Sequence, residues 1–129
     1  MDKEEIFEFL NECGIEDIED LSYNKDFIVA KFNYKFDLIE FQGATEYAKE
    51  ECEDSAESDC WYDNYFLPYL KNFAEDNVAD ILMDCEDEFE INCKYICKEL
   101  TKDNYKSLDF IIVLSDMDKI DIENIIKSI

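Results

Sequence analysis

The chain has 129 residues, and it sets 35 Asp and Glu against 12 basic residues, with no His, for a formal net charge of −23. All twelve basic residues are Lys. This balance argues against direct binding of DNA or RNA, which needs a basic stripe to displace counterions, and against anionic membranes by the same sign. Disorder does not fit either: 47% of the residues are hydrophobic and 15% aromatic, with two Gly and one Pro, enough material for a packed core in one domain spanning 1–129.

In chain order, Asp2 is placed to cap a first helix, with Glu4 and Glu5 in its first turn. Ile6, Phe9, Leu10 and Cys13 form its apolar stripe, and Gly14 closes it. From Phe27 to Leu38 the period becomes two. Ile28, Ala30, Phe32, Tyr34, Phe36 and Leu38 share one face, and Lys31, Asn33, Lys35 and Asp37 the other, which is the pattern of a half-buried strand. A turn at Tyr23–Asp26 would lead back to a strand around Ile18 to Leu21. A further strand could include Ile39 to Phe41, ending at Gln42-Gly43.

Residues 44 to 59 favour helix. A stronger helix is expected from Trp61 to about Met83, with Phe66, Leu70, Phe73, Ala74, Val78, Ile81 and Leu82 as its stripe. Pro68 suits a first turn and breaks an interior, so a kink or a separate turn is expected before it. Phe89, Ile91, Cys93, Tyr95 and Cys97 alternate as a strand, with Leu108 to Leu114 as its antiparallel neighbour. Asp118 or Asp121 would cap a last helix carrying Ile122, Ile125, Ile126 and Ile129. The whole reads as α+β: an antiparallel sheet of about four strands with helices packed on one face.

The N-terminus, Met-Asp-Lys-Glu-Glu, lacks the basic-then-apolar order of an export signal. No apolar run approaches the ~18 residues of a membrane span. A cytoplasmic chain with reduced cysteines is therefore expected. Its six Cys include no Cys-x-x-Cys pair, and there is no His to complete a zinc set. Cys93 and Cys97 on a strand would stand roughly 13 Å apart. The six are read as small, buried apolar side chains, with no metal and no cofactor. Asp116 to Glu123 has the acid density of a calcium loop without its pattern. An EF-hand begun at Asp116 would need an oxygen ligand at Ile120, Gly at Asp121 and Glu at Lys127. An enzyme is not expected either. Histidine, a nucleophile elbow and a phosphate loop are all absent, and no catalytic residue is assigned.

The acid clusters remain. Glu46, Glu50, Glu51, Glu53, Asp54, Glu57, Asp59 and Asp63 are eight acids in eighteen residues, with Lys49 the single base among them. Glu50, Asp54 and Glu57 have helical spacing and could line one face. Trp61 and Tyr62 follow the cluster as candidate interface anchors. Smaller clusters are Asp84, Glu86, Asp87, Glu88 and Glu90, and Glu16, Asp17, Glu19 and Asp20. A charged run can be no more than a solvated face. The sharper reading is a non-enzymatic inhibitor whose carboxylates take the places of phosphates on the basic surface of a nuclease or other nucleic-acid-binding protein. Small bacterial or phage anti-restriction, anti-CRISPR and nuclease-immunity proteins provide the analogy, one of charge and size. The alternatives are a cognate immunity protein for a toxin, or an acidic housekeeping domain without mimicry.

Overall fold

A computed structural model describes residues 2–22, 26–116 and 121–127. The fold is α+β with a four-stranded antiparallel sheet. The chain divides into two compact units. One is built from Met1–Asn33, Val78–Cys97 and Asp109–Ile129, the other from Tyr34–Asn77 and Lys98–Leu108.

The first unit opens with α1, Lys3–Glu12. The Asp2 carboxylate accepts the Glu5 N–H at 3.2 Å, satisfying one of the orphan donors of the first turn. At the other end Gly14 takes φ +105°. Its N–H donates to Asn11 O at 3.0 Å, and the Ile15 N–H reaches Leu10 O at 2.9 Å. These are the two bonds of a Schellman stop, and they explain why a glycine closes this helix. Ile6 and Leu10 are fully buried, and Phe9 packs edge-on against Phe89 with ring centres 5.6 Å apart.

β1 is Glu19–Asp20 and β2 is Phe27–Lys35; they pair antiparallel through Glu19 with Lys31 and Asp20 with Ala30. Tyr23, Asn24 and Lys25 of the expected turn lie outside the described residues. β3, Asn92–Cys97, pairs antiparallel with β4, Ser107–Ser115, from Asn92 opposite Ser115 to Cys97 opposite Phe110. The sheet order is β1-β2-β4-β3, so the last strand in sequence enters the middle.

Both central strands are buried on both faces over part of their length, Ile28 to Ala30 in β2 and Ile112 to Ser115 in β4. On the even-numbered face Phe32 stacks on Phe110 at 5.2 Å and 3°, with Tyr95 beside it at 5.7 Å. On the odd face Val29 and Val113 form a smaller cluster with Leu21, Phe27, Ile111 and Ile125. Ile125 belongs to α5, Ile122–Lys127, whose Asn124 N–H is capped by Asp121 at 3.2 Å. Asp118, Ile129 and the side chains of Ile122 and Ile126 lie outside what is described.

The first helix of the second unit stands where a strand was expected. Ile39 to Phe41 is not a strand but the start of α2, Leu38–Glu51. Asp37 caps it by accepting the Glu40 N–H at 2.8 Å. Asp followed three residues later by Glu is a capping signal, and here it outweighs the apolar pair Leu38 and Ile39, which are 71% and 77% exposed on the first turn. Gly43 therefore lies mid-helix rather than in a turn. A Cβ there would stand 2.8 Å from the Tyr69 hydroxyl oxygen, so the absence of a side chain lets the two approach. The Tyr34 hydroxyl accepts from Asn77 at 2.8 Å and donates to Glu40 at 3.3 Å.

α2 stops at Glu51, where Cys52 turns extended, so the helix expected over 44–59 ends early and 52–58 is a loop. The Ser58 hydroxyl then accepts the Trp61 N–H at 3.2 Å and starts α3, Asp59–Trp61. α3 runs without a break through a widened π turn, Tyr62–Phe66, into α4, Leu67–Phe89. The Leu67 N–H reaches back five residues to Tyr62 O. Pro68 has no N–H to give, and its ring crowds the preceding turn of a regular helix; the wide turn before it relieves both conflicts. The expected break is thus a π turn. The helix also outruns its expected end. Val78, Leu82, Cys85 and Phe89 continue the stripe at spacings of four, three and four, so Phe89 is helical and β3 starts only at Asn92.

Candidate functional site

The acidic segment singled out in the sequence lies in the second unit. α2 carries Glu46, Glu50 and Glu51, the loop carries Glu53, Asp54 and Glu57, α3 carries Asp59, and the π turn carries Asp63. All eight carboxylates are exposed. Helix propensity alone does not place them. Ala44 and Ala48 face inward and are fully buried, which turns Glu46 and Glu50 outward; Glu51 falls on the alanines' side of α2 and is exposed because the helix ends there. Asp59 takes the Lys102 ammonium at 2.9 Å, and this bond raises the Lys102 pKa.

Two expectations about this segment need correction. Glu50, Asp54 and Glu57 do not line one helical face, because the last two follow the end of α2 and Glu57 sits at φ +64°. Trp61 is not an exposed anchor. It is 6% exposed and stacks on Phe66 at 4.7 Å and 17°, with Tyr62 edge-on at 5.0 Å. Its Nε1–H is buried without a hydrogen-bond partner among the described residues. Tyr62 is half-buried; burial and the neighbouring Tyr105, 6.0 Å away, push its hydroxyl pKa up.

The aromatic surface near the acids comes from residues not singled out in the sequence. Tyr47 is 41% exposed and stands 5.4 Å from Tyr69 and 6.2 Å from Tyr65. Pro68, Asn72, Phe73 and Asp76 join Tyr47 and Tyr69 around an open groove of about 340 Å³. The missed signal was Tyr47 itself, one helical turn before Glu51.

In each of the other clusters one acid is engaged within the fold. Glu86 is half-buried and accepts the Cys93 N–H at 3.1 Å. Asp20 pairs with Lys3 at 2.8 Å and accepts the Ser22 N–H at 2.9 Å. Burial opposes the charged form of Asp20, and these bonds outweigh it and hold its pKa low.

The cysteines also depart from expectation. Cys85 alone is buried; Cys13 is exposed and Cys52, Cys60, Cys93 and Cys97 are intermediate. Two pairs form in space. Cys85 on α4 hydrogen-bonds with Cys93 on β3, and this bond with burial drives the Cys93 pKa far up. The Sγ atoms of Cys52 and Cys60 lie with an Asp54 carboxylate oxygen, all within 4.8 Å of one another. The Asn64 hydrogen bond lowers the Cys60 pKa, and burial with the Cys52 and Asp54 contacts overrides it and raises it.

No helix among the described residues is long and apolar enough to cross a membrane. Comparison with protein-family models, with curated proteins and with solved structures finds no match to this chain.

Proposed function

We propose that the protein is a non-enzymatic acidic inhibitor that occupies the basic nucleic-acid-binding surface of a partner protein, with the acidic segment from Glu46 to Asp63 as its contact. One observation carries this reading: eight carboxylates in eighteen residues all stay on the surface, although the same segment buries Ala48 and Trp61. Their mutual repulsion destabilises the fold, and a basic partner relieves it through charge-assisted hydrogen bonds. The exposed ring of Tyr47 replaces Trp61 as the aromatic contact. A partner that handles nucleic acid in the cytoplasm, such as a nuclease, has the complementary surface.

The test uses charge reversal. The triple variant Glu50→Lys, Glu53→Lys and Glu57→Lys leaves the fold intact, because all three side chains are exposed. It slows association with a partner captured from the host and weakens binding. Reversal of Glu8, Glu12 and Glu16, equally exposed and in the first unit, changes the charge by the same amount and has the smaller effect. Equal effects would reduce the contact to the general field. A partner that holds its nucleic acid and this protein together would overturn mimicry.

A further inference from the structure

Cys52 closes α2 and Cys60 stands in α3, and the loop between them brings three metal-ligating atoms together. The two Sγ atoms and an Asp54 carboxylate oxygen lie within 4.8 Å of one another. Both thiols are half-buried and Asp54 is exposed. Asn64, one turn beyond Cys60, donates from Nδ2 to the Cys60 Sγ at 3.2 Å. The geometry points to a site for a thiophilic divalent cation, zinc above all, held by Cys52, Asp54 and Cys60 and oriented by Asn64.

Zinc takes sulfur at about 2.3 Å and carboxylate oxygen at about 2.1 Å, which sets ligand atoms about 3.7 Å apart around a tetrahedron. Closing from 4.8 Å requires movements of about 1 Å, within reach of side-chain rotation in an exposed Asp and two half-buried Cys. Two sulfurs disfavour magnesium and calcium, and the carboxylate disfavours copper(I). Three protein ligands leave a fourth position for water or a partner's side chain. The Asn64 amide has the role usual outside the ligand set: it fixes the direction of a ligand. The Cys-x-Asp-x5-Cys spacing contains no close cysteine pair, so it escapes sequence patterns built on such pairs. A bound cation would tie the ends of the loop that presents Glu53 and Glu57, stiffening part of the acidic surface. The site does not depend on that surface having a partner.

The experiment titrates the full chain, purified and reduced, with cobalt(II) as a spectroscopic stand-in and then competes with zinc. The expected result is one equivalent of tetrahedral cobalt with a thiolate-to-metal charge-transfer band, displaced by zinc. Cys52→Ser and Cys60→Ser each reduce the band, and Cys85→Ser leaves it. Asn64→Ala keeps the band and weakens affinity about tenfold; with Asp54→Asn, it tests the site without touching a thiol. Absence of the band in the reduced wild type overturns the proposal. So does a band that survives both thiol variants or disappears with Cys85→Ser. Because no partner protein is present, a negative result leaves the charge-reversal test standing.

Discussion

Trp61 illustrates how little the character of one side chain says about where it points. A tryptophan beside a dense acid cluster has the composition of an interface. Ser58 starts a helix three residues earlier, and that start turns the indole inward onto Phe66. Its buried N–H finds no acceptor among the described residues, so two opposing terms meet at this position. Trp61→Ala should cost about 3–5 kcal/mol, the usual loss for a large aromatic in a core. Trp61→Phe should cost less than about 1.5 kcal/mol, because deleting the unpartnered donor offsets part of the lost packing. Urea unfolding followed by far-ultraviolet circular dichroism separates the two, since removing the sole tryptophan removes its fluorescence. Equal losses would show that the N–H is not a burden.

At the scale of elements, close approach of helices matters more than propensity. Gly43 lies inside α2, where Ala would ordinarily gain about 1 kcal/mol. Its missing Cβ leaves room for the Tyr69 hydroxyl on α4, 2.8 Å from where that carbon would stand. Overpacking of this kind costs about 1–3 kcal/mol, so the clash should win and Gly43→Ala should lower the melting temperature. In a Tyr69→Phe background the nearest ring carbon is 3.5 Å away, an ordinary contact. There Gly43→Ala should stabilise. A loss of similar size in both backgrounds would place the constraint elsewhere. The sequence showed this glycine and not its purpose: Gln42-Gly43 after an apolar run reads as a turn until Asp37 and Glu40 are recognised as a cap.

For the whole molecule the dominant quantity is charge. With 35 acids against 12 lysines, ion pairs such as Lys71 with Glu99 at 2.6 Å or Lys102 with Asp59 at 2.9 Å can answer few of the carboxylates, and exposed pairs contribute little. Raising monovalent salt from about 0.01 M to about 0.1 M shortens the Debye length from about 30 Å to about 10 Å. The melting temperature should rise over that range as repulsion is screened. A flat or falling melting temperature would show that the acids are already compensated within the fold, and would remove the reason for seeking a basic partner.

What the amino-acid order determined by itself was local. The period-two runs placed β2 and β3, the latter begun three residues early, the apolar run Leu108 to Leu114 placed β4, Asp2 and Gly14 bounded α1, and Pro68 marked the irregular turn. Each of these depends on residues a few positions apart, where backbone sterics and hydrogen bonding act directly. The α+β class followed from their succession, and so did the exposure of an acidic segment, since unpaired charge stays in water. Tertiary structure decided the rest. It inserted β4 between β2 and β3, set Gly43 against Tyr69, and drew Cys52, Asp54 and Cys60 together across a loop. Those outcomes depend on how separate segments meet, and periodicity carries no record of the path a loop takes between two helices.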